Sequence, residues 1–540
     1  MPSAHVDTFA RDRLPPPERL PRFVFSLPEL QFPEQLNCAT ELLDRWVTQG
    51  QGGRLCVLGS APDGSPIRWS YADLQRKANR IARVLVEDHG LVPGNRVLLR
   101  GANSPMLAAC WFGVVKAGGI AVGTMPLLRA RELTTIVHKA NITHALVDAR
   151  LAEEVELARP QCPQLVQVLQ FNGAGGLEAA MSTKAETFDN TDTAADDTCL
   201  IAFTSGTTGQ PKAAMHFHRD VMAACACWPP HVLRAVPDDI VLGSPPLAFT
   251  FGLGGLLLFP LSIGAAAALV EKATPDALPA AIATHRATIC YTSPTAYRAM
   301  AGTIGQYDAS SLRKCVSAGE ALPAATRKLW KDSTGIDIID GIGSTELLHI
   351  FISATEAQAR GGATGYVVPG YVACVMDDDG NPLPPGEVGR LAVRGPTGCK
   401  YLDDERQTAY VQQGWNMTGD AYLIDPADGQ FVYQARTDDM IISGGYNIAG
   451  PEVESALLLH PAVAECGVVG VADEERGQIV KAFVVLKPGH APDAAMAKAL
   501  QDFVKQTVAP YKYPRAVTFR DSLPRTETGK LQRFRLREGP

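Results

Sequence analysis

Thr204-Ser205-Gly206-Thr207-Thr208-Gly209-Gln210-Pro211-Lys212 is the stretch on which the reading of this chain turns. It follows a short apolar run, Thr198–Phe203, that has the composition of a buried strand. Two glycines, four hydroxyl residues and a lysine make a loop rich in backbone N–H and hydroxyl donors, which suits a polyphosphate. It is not a Walker A loop. That motif requires G-x-x-x-x-G-K-[ST], whereas Gly209 stands three residues before Lys212 and Ala213 follows the lysine. Taken alone, the stretch leaves a surface turn and a phosphate loop as open alternatives.

Outward from this loop, short apolar runs alternate with amphipathic stretches. Arg96–Arg100 reads as a strand, 104–117 as a helix closed by Gly118 and Gly119, and Ile120–Val122 as a second strand. Ile240–Leu242, Thr288–Tyr291, Arg313–Val316 and Ile336–Ile339 are further strand candidates, with helical stretches at 275–285 and 323–334. Such alternation predicts βαβ units and mostly parallel sheets flanked by helices. Ligands bind at the carboxyl ends of strands in open α/β sheets, so the Gly-, Ser- and Thr-rich junctions after these runs are where a site is expected.

Composition sets the outer bounds. The chain has 540 residues, beyond the size of one hydrophobic core, so at least two domains are expected. Apolar residues make up 46% and charged residues 20%, which excludes a disordered, collagen-like or coiled-coil body. A net charge of −7 provides no global field for nucleic acid or an anionic membrane. The uncharged stretch 247–270, LAFTFGLGGLLLFPLSIGAAAALV, is long enough to span a bilayer. Its glycines and Pro260 favour a loop plus a buried helix. Twelve scattered cysteines and a proline-rich leader with no apolar core predict a reduced, cytoplasmic protein without a signal peptide.

The clearest break comes near residue 436. Before it lie β-rich segments at 386–395 and 430–435; after it come a helix at 451–459, strands near 464–471 and 480–486, and a helix at 492–506. The expected organisation is a large domain, 1–435, of parallel sheets plus a β-rich subdomain, and a small mobile α/β domain, 436–540.

Five more motifs stand in order with the loop. They are Ser317-Ala-Gly-Glu-Ala-Leu322, Asp340-Gly-Ile-Gly-Ser-Thr-Glu346, Thr418-Gly-Asp420, Arg436-Thr-Asp-Asp-Met-Ile441 and Pro524-Arg-Thr-Glu-Thr-Gly-Lys530. With them the chain, over roughly 40–535, resembles the acyl-adenylate-forming superfamily, which includes acyl- and aryl-CoA ligases. The resemblance implies a two-step reaction: a carboxylate attacks the α-phosphate of ATP and expels pyrophosphate, then the thiol of coenzyme A intercepts the acyl-adenylate.

It also implies roles. Thr204, Ser205, Gly206, Thr207, Thr208, Gly209 and Lys212 hold the phosphates. Glu346 faces Mg2+, with Thr345 beside the α-phosphate, and hard oxygen donors suit that ion. Ala318, Gly319, Glu320 and Asp340, Gly341, Ile342, Gly343 wall the adenine. Asp420 accepts from the ribose hydroxyls, and Arg436 reaches the sugar or phosphate. Lys530 stabilises the pentavalent transition state as a point charge on a flexible stem. Ser443, Gly444 and Gly445, flanked by Tyr446 and Asn447, line the pantetheine path in the second step. Asp438 is the hinge between the two poses.

The acid pocket implied is Ala248, Phe249, Phe251, Gly252, Tyr291, Gly319, Gly343 and His349, with His218 available to a ring substituent. The run Gly343–Phe351 is similar to the benzoate-CoA ligase branch, and 215–220 with 246–255 to its 2-aminobenzoate-CoA ligases. An aromatic acid stacks on Phe and Tyr faces. A short- or medium-chain fatty acyl-CoA ligase is the alternative; a non-catalytic nucleotide sensor is disfavoured by the presence of Lys530 and Glu346. With no carrier protein after Pro540, a carrier-loading module is disfavoured too. His216 and His218 stand two apart without a third ligand nearby, which points to core or pocket wall rather than a metal centre. Only small-molecule partners are expected, with the chain monomeric or homodimeric.

Overall fold

The computed structural model describes residues 2–204, 211–437, 439–443, 446–473, 476–508, 510–525 and 530–537, with the backbone alone at Ile442, Tyr446, Asn447 and Gly477. The expected strands and helices form within a residue or a few of their sequence bounds. A six-stranded sheet runs Gln167–Phe171, His144–Asp148, Arg96–Arg100, Ile120–Thr124, Thr198–Thr204, Lys212–Phe217. All neighbours are parallel except the last pair. A nine-stranded sheet has a parallel interior: Ile338–Gly343, Lys314–Ala318, Ile289–Thr292, Ile240–Gly243, Ala266–Ala268 and Leu55–Ser60. Antiparallel strands close it at both margins.

The helix Pro105–Lys116 shows why the two sheets pack. Ser104 caps it, Pro105 occupies its first turn, and all twelve of its residues are buried. A helix apolar on every face belongs inside a core. It touches Leu55–Ser60 of one sheet and Arg96–Arg100 and Ile120–Thr124 of the other. The long uncharged stretch is likewise interior. It is helical from Thr250 to Ser262 and then enters the nine-stranded sheet as Ala266–Ala268, a strand the sequence reading did not anticipate. No helix among the described residues is long and apolar enough to cross a membrane.

The β-rich segments form a five-stranded sheet built on Gly389–Arg394, Trp415–Ile424 and Phe431–Arg436. From Ile441 onward a separate five-stranded sheet with helices Gly450–Leu457 and Ala494–Thr507 encloses its own core around Val453, Leu457, Val480 and Leu500. The model therefore has a large mixed α/β body and a smaller C-terminal one. The strand Lys212–Phe217 was also unexpected. It pairs antiparallel with Thr198–Thr204, so the two ends of the phosphate-loop candidate are hydrogen-bonded neighbours.

Candidate active site

Strand ends bring the motif residues together. Thr204 and Lys212 are register partners at the end of that strand pair. Ser205, Gly206, Thr207, Thr208 and Gly209 lie outside the described residues, as do Asp438, Gly444 and Gly445. On neighbouring parallel strands Ser317 pairs with Asp340 and Ala318 with Gly341, which sets the two adenine-wall motifs side by side. Gly319 follows at φ +90°, a left-handed conformation natural to glycine. Burial raises the Asp340 carboxyl to about 7 against the opposing pull of Arg327, and its Oδ1 has no hydrogen-bond partner among the described residues.

Glu346 is buried in the turn after Ile338–Gly343, where its Oε1 accepts from the Tyr401 hydroxyl. The same tyrosine ring carries the Lys212 ammonium 5.3 Å from its centroid. Tyr401 thus links the phosphate-loop lysine to the expected metal-facing carboxylate. Neighbouring Thr345 is held through its backbone: His216 Nε2 donates to its carbonyl at 2.8 Å. That bond fixes the tautomer. Burial, then the charge of Lys400, lowers the imidazole to about 4 and keeps it neutral. Beneath it the buried Lys400 ammonium donates to Asp220 at 2.7 Å.

Lys530 reaches this place from the C-terminal body. Its Cε lies 3.5 Å from where a Cβ on Gly319 would stand, and its charge acts on Asp420. Burial raises the Asp420 carboxyl, with Arg436 opposing; the two residues are cross-strand partners joined at 3.3 Å. Arg525 spans the two bodies, bonding Glu320 at 3.2 Å and Glu465 at 2.9 Å. Glu320 also accepts from Thr295 at 2.8 Å. The arrangement sets the lysine beside Gly319, one of the residues expected to wall the adenine. Ser443 is buried in the C-terminal sheet with its hydroxyl unpartnered among the described residues.

Three of the residues expected in the acid pocket, Phe251, Tyr291 and His349, join Trp228 and Phe259 in an aromatic box. His349 sits 5.6 Å from the Phe251 ring, 5.6 Å from Trp228 and 4.4 Å from Phe259; Tyr291 lies 5.7 Å from Phe251 and 6.2 Å from Trp228. Helical glycines allow this approach. A Cβ on Gly254 would stand 2.5 Å from His349 Cδ2, and one on Gly255 2.6 Å from Tyr291 Cε1. Burial lowers His349 to about 3, so it is a neutral imidazole. Both its nitrogens, the Tyr291 hydroxyl and Trp228 Nε1 are buried and unpartnered among the described residues. Gly343 backs the box, since a Cβ there would stand 2.7 Å from the His349 carbonyl carbon. Ala248 lines an adjoining apolar cavity with Leu99, Trp111 and Leu253. Phe249 is half-buried at the start of the helical run beside Gly252, outside the ring contacts.

His218 departs from its expected place. It heads the helix His218–Trp228, and its Nδ1 meets Cys38, not the aromatic box. The change of element explains this: two residues apart in a strand would share a face, but His216 ends in the strand and His218 begins the helix, and it is His216 that turns to Thr345. Trp228, Phe259 and Tyr401 were missed because no motif contains them. Only the fold joins Trp228 to His349, 121 positions apart in the chain.

Residues 43–401 match the AMP-binding enzyme family, and 452–530 match the AMP-binding enzyme C-terminal domain. Benzoate–CoA ligase of Thauera aromatica is 36% identical, covering 94% of this chain and 97% of that protein. The mitochondrial acyl-coenzyme A synthetase ACSM3 of Rattus norvegicus is 31% identical over 94% and 91%. The anthranilate CoA ligase AuaEII, solved in complex with anthranoyl-AMP, superposes with a TM-score of 0.90 at 34% identity, covering 95% of this chain and 98% of that one. A benzoate CoA ligase from Burkholderia xenovorans LB400 gives 0.83 at 32%, over 93% and 100%.

Proposed function

The chain belongs to the AMP-binding enzyme family and is an AMP-forming acid–CoA ligase using ATP and coenzyme A, and on that premise we propose that its acid is a compact aromatic carboxylate with a polar ring substituent, 2-aminobenzoate first. The observation that carries this is the set of unpartnered polar atoms on His349, Tyr291 and Trp228 inside a box of rings. A buried polar group without a partner costs about 1–3 kcal/mol. Benzoate would fill the rings and leave those groups unpaired; an ortho amino group gives the neutral imidazole a donor, and an ortho hydroxyl can also accept from the indole N–H. An alkyl chain supplies neither, which weighs against the fatty acyl alternative. The substrates for which the anthranilate and benzoate relatives are named support the same reading.

In the first step Lys530, over Gly319, meets the charge that develops as the carboxylate attacks the α-phosphate. The Thr204–Lys212 stretch holds the phosphates, Asp420 and Arg436 the ribose, and the 317–320 and 340–343 strand ends the adenine. Glu346 would hold Mg2+, and the site's chemistry fits: the carboxylate is buried, one oxygen is fixed by a neutral phenol, and the donors are oxygen. That ion would neutralise phosphate charge. In the second step the 443–445 turn replaces Lys530 and passes the thiol of CoA. Twelve unpaired cysteines suit a reducing, cytoplasmic setting.

The test is pyrophosphate exchange and CoA-thioester formation with 2-aminobenzoate, 2-hydroxybenzoate, benzoate, octanoate and acetate. A higher kcat/KM for octanoate or acetate than for every aryl acid would sink the aromatic reading. Benzoate outrunning both substituted acids would sink the polar-substituent reading alone.

A further inference from the structure

Two histidines without a third ligand argued against a metal centre, and folding supplies what the spacing lacked. His218 meets two thiols. Cys38 precedes the helical turns at Thr40–Asp44, Cys199 lies on the strand Thr198–Thr204, and His218 begins the helix His218–Trp228. One ligand-capable atom from each of the three lies within 4.8 Å of the other two, and all three residues are buried. His218 Nδ1 is 3.3 Å from Cys38 Sγ. Donors bound at about 2.0–2.3 Å to one shared ion stand no more than about 4.6 Å apart, so these separations need little adjustment.

We propose that Cys38, Cys199 and His218 form a binding site for one thiophilic d10 cation, zinc or cuprous copper, separate from the ligase chemistry. Two thiolates and an imidazole are the donor set such ions select. Burial raises Cys199 well above its usual range.

His5 adds a second imidazole nearby. It is 8% exposed, both its ring nitrogens are unpartnered among the described residues, and it is electrostatically coupled to His218. Burial lowers it to about 4 and keeps it in the neutral, ligand-competent form. The Cys38 N–H donates to His218 Nδ1 at 3.1 Å, a bond that an ion at that nitrogen would displace in exchange for metal–thiolate bonds. The three residues come from the N-terminal segment, the six-stranded sheet and a helix behind it. A bound ion staples these together, and local opening must admit it.

The test uses the full chain, stripped with a chelator under reducing conditions and titrated with Co2+ as a spectroscopic probe. The expected result is one Co2+ per chain with thiolate-to-cobalt charge-transfer bands and the intense visible bands of low coordination number. Zn2+, or Cu+ without oxygen, then displaces the probe, and whichever does so at stoichiometric amounts identifies the ion. Cys38→Ser and Cys199→Ser lose the charge-transfer bands, while Cys374→Ser, on the β-rich sheet, keeps them. The loaded wild type melts at a higher temperature. Because serine in a core can cost stability, the wild-type spectrum decides on its own. Absence of saturable charge transfer, or only the weak spectrum of octahedral cobalt, overturns the site; so does binding that survives both serine variants.

Discussion

Tyr401 donates its phenolic hydrogen to the Glu346 carboxylate, and both residues are buried. The bond holds one oxygen of that carboxylate in place. Tyr401→Phe removes the donor, keeps the ring under the Lys212 ammonium and leaves a buried oxygen unpaired. We expect adenylation to fall by about 10–100-fold, the range seen when a ligand's supporting bond is lost, and the Mg2+ concentration for half-maximal rate to rise. Pyrophosphate exchange at varied Mg2+ checks both. An unchanged Mg2+ requirement would remove the metal-facing role of Glu346.

Lys530 stands against Gly319, one of the residues expected to wall the adenine. Lys530→Ala is expected to slow adenylation by about 10²–10³-fold, the usual loss for one transition-state donor. Thioester formation from supplied aryl-adenylate should continue near the wild-type rate. Equal losses in both half-reactions would assign the lysine to folding or to both steps.

Arg525 holds Glu320 on one body and Glu465 on the other. Glu320→Gln weakens this strap while keeping the Thr295 hydrogen bond possible. If the strap holds the pose that sets Lys530 against Gly319, the variant should lose about 3–10-fold in adenylation, as befits a partly exposed charged pair. The isolated thioester step should be unchanged or faster. A variant slowed only in the thioester step would contradict the strap.

Asp340 provides a pH signature. Its folded carboxyl releases its proton near 7, whereas the unfolded one does so near the ordinary 3.8. The stability this group contributes is therefore complete below 3.8 and is lost as pH rises through 7, at ~1.4 kcal/mol per unit while the two states differ. Asp340→Asn does not titrate. Relative to wild type its melting temperature should climb between pH 4 and pH 8 (about 4 units, spanning both values). A constant difference across that window would mean the carboxyl is already ionised in the folded chain.

Local chemistry made most of the frame legible, because alternating apolar runs and Gly- or Pro-bounded helices carry their own periodicity. Pro105–Lys116 and Lys314–Ala318 lie within two residues of their sequence bounds for that reason. The strand Lys212–Phe217 was not, because its run of Lys, Ala, Met and His has no strand alternation and gains its place from pairing with Thr198–Thr204. Motif residues such as Glu346 could be named from order alone. Trp228, Phe259 and Tyr401 could not, since what makes them part of the site is a contact across the core. His218 was placed near the ring substituent by the resemblance of 215–220 to 2-aminobenzoate-CoA ligases, whereas in the fold it begins a helix and its ring meets Cys38.

The last expectation concerns the passage between the two steps. Lys530 must leave the α-phosphate before the 443–445 turn can bring in the thiol, so the C-terminal body has to swing. The chain on the near side of the joint is anchored: Arg436 pairs with Asp420, and the Thr437 N–H donates to the Gly419 carbonyl at 3.0 Å. On the far side, Asp439 is paired with Arg537, and Ile441 already belongs to the C-terminal sheet. If the C-terminal body rotates, these anchors would leave the backbone between them to absorb it, and Asp438 is the residue expected at its centre. Hinges of this kind concentrate large φ/ψ changes in a few residues. Proline fixes φ near about −65°, so Asp438→Pro should hold the pose in which Lys530 lies at Gly319. Adenylation survives, and CoA-thioester formation falls at least about 10-fold, since binding the second pose then costs strain. Paired half-reaction rates, with a thermal melt to confirm folding, check this. A folded Asp438→Pro enzyme forming CoA thioester at the wild-type rate would move the hinge elsewhere.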